Sequence, residues 1–417
     1  MSFRTTLAAL AIAAAALLGA PASAQDAKLL AAARAAEPQV IESLREMVAI
    51  ESGSGDASGV RRMLDYVQAR LVALGAQPER LKPASGHAEM VKAVFTGTGR
   101  RNLLLIAHVD TVYGSGILAS QPFRRDGNKL YGPGIADAKG GVAVILHTLA
   151  LLKDAGWRDY ARLGVLFNAD EEVGSIDSGE TLAALGEASD VVLSYEPSPA
   201  KEVLKAEGVL LAAAGGGSIR MEVKGRASHA GAAPQLGRNA LIELAHQLLQ
   251  TQDVAKGVTG AQLNWTMVDA ISTRNQIPDK AAAQSDLRFT APGAPEALLA
   301  AVRAKVAESR RVPDTETTVS MTITRPPYVA GDKGKALAER ARAIYAELDG
   351  RQLAFIPGTG GGTDAGYAGR SGKPAVLEAL GLAGWGYHAR DEFIEIDSIV
   401  PRLYLSARLL MDLGRER

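Results

Sequence analysis

The stretch 103-LLLIAHVDT-111 decides the fold and the position of the site. Five apolar residues, Leu103 to Ala107, predict a strand that is buried on both faces of a sheet. The run ends abruptly at His108 and Asp110. Ligands of open α/β sheets bind at the carboxyl ends of the strands, where an imidazole can hold a metal and a carboxylate can orient it. Taken alone, His-x-Asp here is more often an ordinary polar turn, so the rest of the chain has to decide.

Composition bounds the class of protein. The 417 residues exceed one ordinary domain and predict two, and with 47% hydrophobic residues the chain can bury a large core. Lys+Arg and Asp+Glu both number 46, so no net field attracts nucleic acid or an anionic membrane. Cysteine is absent, so every metal ligand must be nitrogen or oxygen. Zinc held without thiolates is usually catalytic.

Residues 1–24 have the pattern of an export signal. Arg4 is followed by the apolar run Leu7–Leu18 and by the A-x-A site Ala22–Ala24. The run is short for a membrane span, although a single-helix anchor is the alternative. We therefore expect a mature chain that starts near Gln25, is located in the bacterial periplasm or secreted, and has no membrane attachment once the signal is removed.

Helices and strands alternate up to about residue 213, which favours an α/β fold with a mostly parallel sheet. From 214 to 324 the predicted order becomes β-α-β-β-α-β, which is typical of an inserted ferredoxin-like α+β domain. After Pro326 the alternation resumes. The predicted units are a discontinuous domain of residues 25–213 and 325–417 and an inserted domain of residues 214–324.

A glycine-rich loop, Tyr131–Gly141, precedes the apolar helix Val142–Leu152. Glycines let backbone approach a ligand closely, and a helix N-terminus favours anions. A phosphate-binding loop is the obvious competitor, but the spacing matches neither the Walker pattern nor the dinucleotide fingerprint. Asp137, just before the helix, has a second interpretation as its N-cap.

Further metal-competent side chains follow predicted strands or loops. Glu171 and Glu172 follow the strand Leu163–Phe167, Glu196 follows Val191–Tyr195, and His388 closes a late polar cluster. We expect them to meet His108 and Asp137 at the carboxyl ends of one sheet. Two histidines with carboxylates and no thiols suit two zinc ions about 3.5–4 Å apart, bridged by a hydroxide.

The order of these motifs resembles the di-zinc aminoacylase/carboxypeptidase family. The motifs are His-x-Asp, G-x-G-x-x-D-x-K-G-G, Asp-Glu-Glu-x-Gly, Tyr-Glu-Pro and Gly-Tyr-His. Gly132–Asp137, Ser228–Pro234 and Gly360–Ala365 are similar to the glutamate carboxypeptidase (carboxypeptidase G, folate-hydrolysing) branch. The resemblance covers essentially the whole mature chain, with the inserted domain. It implies that 25–213 with 325–417 is the di-zinc catalytic domain and that 214–324 is a lid or dimerisation domain.

The resemblance implies two Zn²⁺ per subunit, with Co²⁺ or Mn²⁺ as possible substitutes. His108 and Glu196 would hold one ion, and His388 and Glu172 the other. Asp137 would bridge both ions through its two oxygens.

The resemblance also implies roles around the metals. Asp110 would orient the ring of His108, and Glu171 would be the general base. His229 would stabilise the oxyanion in the partner subunit of a homodimer. Arg288 and Asn275 would hold the free carboxylate of the substrate, although a strand-surface charge and a turn residue are the plainer interpretations.

Several residues have no assigned role or a weaker one. Gly360 and Gly361 either present backbone N–H groups to the substrate or form a tight turn. His87, His147 and His246 are left out, since loop, core or surface positions explain them.

The side-chain pocket departs from the resemblance. Glutamate-specific relatives carry cationic and hydroxyl groups where this chain has Glu207–Gly217, which reads EGVLLAAAGGG. Lys201 and Lys205 lie just upstream and reach the pocket only if the loop folds back. Leu210 and Leu211 favour an apolar or small side chain.

We therefore expect a zinc-dependent exopeptidase that releases a C-terminal amino acid, glutamate or a less polar residue, from small N-acyl or peptidyl (folate-type) substrates. The alternatives are an aminoacylase for N-acyl amino acids with apolar side chains and, from another class, a non-catalytic periplasmic binding protein.

Overall fold

The computed structural model describes residues 25–83, 88–270, 272–291 and 293–416. The predicted export signal and His87 lie outside the described residues. None of the helices in these ranges is both long and apolar enough to cross a membrane. The described helices are α1 (Ala27–Val48), α2 (Ala57–Ala73), α3 (Lys139–Asp154), α4 (Gly179–Glu187), α5 (Lys201–Leu204), α6 (Ala240–Thr251), α7 (Ala294–Glu308), α8 (Gly331–Ala346), α9 (Ala365–Ala368) and α10 (Ile399–Gly414).

The strands in the same ranges form one large sheet, one inserted sheet and several small ones. In chain order they are β1 (Glu79–Leu81), β2 (Met90–Thr96), β3 (Asn102–His108), β4 (Arg124–Asp126), β5 (Lys129–Tyr131), β6 (Arg162–Asn168), β7 (Val191–Ser194), β8 (Ser198–Pro199), β9 (Glu207–Leu210), β10 (Ala212–Ala213), β11 (Gly215–Lys224), β12 (Ser228–His229), β13 (Ala261–Asp269), β14 (Gln276–Ile277), β15 (Lys280–Phe289), β16 (Glu316–Arg325), β17 (Tyr328–Val329), β18 (Leu353–Ile356), β19 (Ala375–Leu377), β20 (Ala383–Trp385) and β21 (Phe393–Glu395).

The large sheet has the order β1-β2-β6-β3-β7-β19. Strands β6, β3, β7 and β19 are parallel, and β2 and β1 extend the sheet in antiparallel fashion. The predicted α/β fold with a mostly parallel sheet is therefore confirmed. Strand β3 lies in the middle, and its last residue is His108.

The continuous apolar run of β3 is explained by two cores. Leu103 and Leu105 belong to the core that α1, α3 and α10 share, whereas Leu104 and Ile106 point into a second core with residues of α4 and α9. Because successive side chains of a strand point to opposite faces, a strand covered on both faces has no polar position until it ends. Polar side chains that could bind a metal therefore follow the apolar run, at the carboxyl end of β3.

The inserted sheet is antiparallel, with the order β13-β15-β11-β16. Helices α6 and α7 bury a separate core against it, which contains Ile219, Met221, Leu244 and Leu298. The element order agrees with the predicted β-α-β-β-α-β pattern. Gly215, the first residue of β11, has a steric cause, since a Cβ there would lie 2.5 Å from the ring of Phe289.

A further five-stranded sheet, β4-β5-β21-β20-β8, was not predicted. Its strands have two or three residues each, too few to show a periodic pattern. This sheet carries the segments that lead to Asp137 and His388. The expectation that all ligands lie at strand ends of one sheet is therefore wrong for these two residues, which come from loops beside the second sheet.

Candidate metal centre

Asp137 lies between two imidazoles. Its Oδ1 is 3.0 Å from Nε2 of His108, and its Oδ2 is 3.5 Å from Nε2 of His388. Each histidine has a second carboxylate beside it, because Glu196 Oε2 is 3.5 Å from His108 Nε2 and Glu172 Oε2 is 3.2 Å from His388 Nε2. The structure thus brings all five predicted ligands together in the predicted pairs, with Asp137 common to both.

The donor set fits divalent metal. Ligand atoms of His108, Asp137 and Glu172 lie within 4.8 Å of one another. Burial and, to a smaller extent, the negative charge of Asp137 raise the pKa of Glu196 to about 8, although His108 opposes the shift. Hydrogen bonds to Asp137 and Glu172 raise the pKa of His388 to about 10. Carboxylates that converge this closely require cations between them, and nitrogen with oxygen donors suits zinc.

Asp110 links His108 to the segment that carries Glu171 and Glu172. Its Oδ1 lies 3.3 Å from Nδ1 of His108, and its backbone carbonyl accepts from the same ring nitrogen at 3.1 Å. The carboxylate also accepts from the backbone N–H groups of Glu171 (3.3 Å) and Glu172 (3.2 Å) and from the hydroxyl of Ser54 (2.8 Å). Asp110 therefore fixes the ring and also the strand end after β6.

Glu171 is buried and pairs with Arg325, which the sequence did not single out. The guanidinium donates to both the side-chain carboxylate and the backbone carbonyl of Glu171. Burial raises the pKa of Glu171 well above its usual range, and Arg325 opposes that shift. Arg325 ends β16, at the return from the inserted sheet, so the ion pair links the two regions at the site.

Glu392 holds the loop that presents Asp137. Its buried carboxylate accepts from the backbone N–H groups of Gly134 (2.9 Å), Ala136 (2.8 Å) and Asp137 (3.0 Å). It also accepts from the hydroxyl of Tyr113 at 2.7 Å. Burial raises the pKa of Glu392 to about 7. Four donors around one carboxylate fix the loop while leaving the side chain of Asp137 free to face the histidines.

Lys139 holds the same loop from another side. Its buried ammonium donates to the backbone carbonyls of Ile50 (3.0 Å) and Pro133 (3.3 Å). Burial lowers the pKa of Lys139 to about 8.

The N-cap of α3 is Ala138, without a side-chain cap. The interpretation of Asp137 as an N-cap is therefore wrong.

A cavity of about 960 Å³ opens over the centre. Arg288, Gly360 and Gly361 line it, as predicted for groups that contact substrate. His229 and Asn275 are not among its described lining residues. They lie beside each other in the inserted region, where β12 pairs with β14 and the backbone N–H of Ala230 donates to the carbonyl of Asn275.

The remaining polar candidates have ordinary explanations. His147 is buried with its Nε2 2.9 Å from Ser43 Oγ, and the half-buried His246 contacts Ser309 at 2.9 Å. Asp170 turns away from the centre and accepts from the backbone N–H groups of residues 177 and 178. Asp170 therefore holds the following loop, whereas its neighbours Glu171 and Glu172 line the cavity at the candidate metal centre.

Sequence comparison gives the same picture. A model of the peptidase family M20/M25/M40 matches residues 104–412. The chain is 43% identical to carboxypeptidase G2 of Pseudomonas sp. (strain RS-16) over 392 residues, which cover 94% of this chain and 93% of that protein. It is 29% identical to the succinyl-diaminopimelate desuccinylase of Gluconobacter oxydans (strain 621H), over 74% of this chain and 81% of that one.

Solved structures share the fold. Aminopeptidase PepT from Bacillus cereus superposes with a TM-score of 0.73 at 17% identity, covering 91% of this chain and 99% of that chain. The M20 family metallo-carboxypeptidase Sso-CP2 from Sulfolobus solfataricus gives 0.68 at 16% identity, covering 89% and 98%. At such identities the likeness concerns the fold alone.

Proposed function

The chain belongs to the peptidase family M20/M25/M40, and from this premise we propose that it is a zinc-dependent exopeptidase that releases a C-terminal amino acid from N-acyl or peptidyl substrates. One observation carries the proposal: Asp137 is shared by two histidines that each have their own glutamate, and Glu171 lines the same cavity without an ion pair to either histidine. The relative at 43% identity is a carboxypeptidase, which does not favour the aminoacylase alternative. Membership of a peptidase family argues against a non-catalytic binding protein.

The residues that would hold metal form two sets around Asp137. His108 with Glu196 would hold one zinc ion, and His388 with Glu172 would hold the other. Bound zinc supplies Lewis acidity, which lowers the pKa of water and polarises the carbonyl of the amide. The donor set also suits Co²⁺ or Mn²⁺.

Glu171 is the general base of the proposal. It takes the proton from the attacking water and delivers it to the amine that leaves. The guanidinium of Arg325 pairs with the carboxylate of Glu171 and orients it. The carboxylate of Asp110 accepts from the backbone N–H of Glu171 and so fixes the backbone there.

Arg288 is the proposed anchor for the free carboxylate of a small substrate. Its Nε lies 3.1 Å from a carboxylate oxygen of Asp286, while its side chain borders the cavity. A guanidinium fork binds a carboxylate bidentately. The backbone N–H groups of Gly360 and Gly361 are further donors on this wall.

His229 and Asn275 support a homodimer in the proposal. Both lie outside the described lining of the cavity, and the exposed apolar side chains Leu249, Met267 and Val268 lie in the same inserted region. A second copy would bring His229 to the oxyanion and Asn275 to the carboxylate. Mixed oligomers of inactive Glu171→Gln and inactive His229→Ala chains should regain activity; no recovery in a proven mixed dimer would exclude a role in trans.

The N-terminal pattern belongs to the proposal too. An export signal in residues 1–24 would place the enzyme in the periplasm or outside the cell. Cell fractionation with N-terminal sequencing tests this, and an intact Met1 in the cytoplasmic fraction would contradict it.

The direct test of the mechanism is Glu171→Gln. The variant should bind zinc as the wild type does and lose about 10²–10⁴-fold in kcat, which is the usual contribution of general acid–base catalysis. Hydrolysis at the wild-type rate by the zinc-loaded variant would remove Glu171 as the base.

A further inference from the structure

Part of the wall of the catalytic cavity is apolar. Val203, Leu204, Leu210 and Ile356 line it, and we refer to these four residues as the apolar subsite. Val203 and Leu204 are each 40% exposed. Leu210 lies opposite Ile356 in the parallel pair β9–β18, and α5 with the other two residues directly precedes β9. All four residues line the same cavity, and in the described residues nothing covers the two exposed ones.

The apolar subsite lies next to the groups that are proposed to bind the α-carboxylate of the substrate. Beyond Leu210 the chain runs along the glycine turn, because the backbone N–H of Ala214 donates to the carbonyls of Thr359 (3.1 Å) and Gly361 (3.0 Å). Gly216, two residues further, lies opposite Arg288 in the β11–β15 register. An amino acid whose α-carboxylate reaches Arg288 can therefore place its side chain on the same wall.

The described residues that line the cavity offer few cationic groups to bind a second carboxylate of the substrate. Arg288 and Arg325 are the only basic residues other than His388 among the described residues that line it, and Arg325 is paired with Glu171. Lys201 is directed elsewhere, with its ammonium on Asp397. Lys205 is not among the lining residues.

Glu207, at the start of β9, does not contribute to the wall either. It is buried, with its carboxylate on the guanidinium groups of Arg402 and Arg351, each at 3.1 Å. An ionised side chain on the apolar subsite would thus be desolvated without a countercharge, and this is unfavourable.

We propose that the amino acid released by this enzyme has an uncharged, apolar side chain, of the size of methionine, leucine or phenylalanine, which binds on the apolar subsite. The inference rests on the proposed exopeptidase function and specifies its substrate class. Arg288 takes the single free carboxylate, and Val203, Leu204, Leu210 and Ile356 select against a second one.

The test uses the zinc-loaded full chain and three near-isosteric substrates, N-benzoyl-methionine, N-benzoyl-glutamine and N-benzoyl-glutamate. The kcat/KM should fall in that order, with methionine at least about 10-fold above glutamate, because an ionised carboxylate on the apolar subsite would be desolvated without a countercharge. Glutamate equal to or better than methionine would overturn the inference and leave the exopeptidase function standing. Cleavage of none of the three would refute the exopeptidase function, and the inference with it.

A variant addresses the subsite itself. Val203→Lys adds a cation at an exposed position of the wall and should raise the glutamate-to-methionine ratio at least about 10-fold. Val72→Lys is the matched control, because Val72 is 55% exposed on α2 and lies outside the cavity lining. An unchanged ratio in folded Val203→Lys, or an equal rise in both variants, would contradict the assignment.

Discussion

Glu392→Gln tests whether the carboxylate behind the Asp137 loop controls the metal centre. One oxygen of Glu392 accepts from Gly134 and Tyr113, and the other accepts from Ala136 and Asp137. An amide keeps one accepting oxygen and turns an NH₂ group towards two donors. Since a hydrogen bond to a charged group is worth about 1.5–3 kcal/mol, two lost bonds amount to about 3 kcal/mol or more.

Only part of that loss reaches the metal. Residues that orient metal ligands typically change metal affinity by about 10- to 100-fold, and we expect a decrease of this size for Glu392→Gln. Competition with a chromophoric chelator measures it, together with thermal unfolding of the metal-free chain.

Glu395→Gln is the control. Glu395 is a buried carboxylate three residues away that accepts from the backbone N–H of Lys201. It should change zinc affinity by less than about 3-fold, because its bond does not reach the Asp137 loop. A Glu392→Gln chain that unfolds more easily yet binds zinc like the wild type would refute the reasoning.

Three more outcomes are expected. Arg325→Met should lower kcat by about 100-fold with little change in KM, since Glu171 loses its buried partner; unchanged steady-state kinetics would contradict this. Burial and, to a smaller extent, the positive charge of Arg70 lower the pKa of His147 from 6.5 to about 4. As the pH falls, the unfolded chain therefore takes up the proton first. The stability that depends on neutral His147 is complete above pH 6.5 and decreases towards pH 4. Between pH 7 and 5 the wild type should lose about 2 kcal/mol more than His147→Gln in urea unfolding, and equal losses would contradict it. Glu207→Gln leaves the guanidinium of Arg402, buried and bonded to that carboxylate, without its charge partner; unfolding should show a loss of about 3 kcal/mol, and a loss below about 0.5 kcal/mol would contradict the pairing.

The parts of the fold that sequence could predict are those with long periodic or continuous patterns. The apolar run 103–107 could be assigned because both faces of its strand are buried, and His108 and Asp110 followed from its end. The alternation of β11, α6, β13, β15, α7 and β16 was equally visible. The five-stranded sheet was not, because strands of two or three residues have no period to detect.

Sequence motifs predicted the side chains that face the metals. They did not predict the residues that hold those motifs in place. Glu392 and Tyr113 act through backbone N–H groups or one hydroxyl bond, which leave no spacing in the sequence. Arg325 reaches Glu171 across 154 positions, and only the fold brings them together. Lys139 belonged to a recognised motif, yet its two carbonyl partners depend on how the loop closes.

The apolar wall was partly foreseeable. Leu210 pointed to a less polar pocket, because Glu207–Gly217 contains no Lys, Arg, Ser or Thr. Its partners Val203, Leu204 and Ile356 come from other elements and became neighbours only in the folded chain.

The central claim is metal-dependent release of a C-terminal amino acid at the Asp137 centre. The most direct measurement follows free methionine released from N-benzoyl-methionine by protein with a determined zinc content, before and after chelation and after zinc is restored. The account predicts that release increases up to two zinc ions per chain, stops on chelation and returns with zinc. Release that continues in metal-free protein, or its absence from protein with two bound zinc ions across the three N-benzoyl substrates, would contradict it.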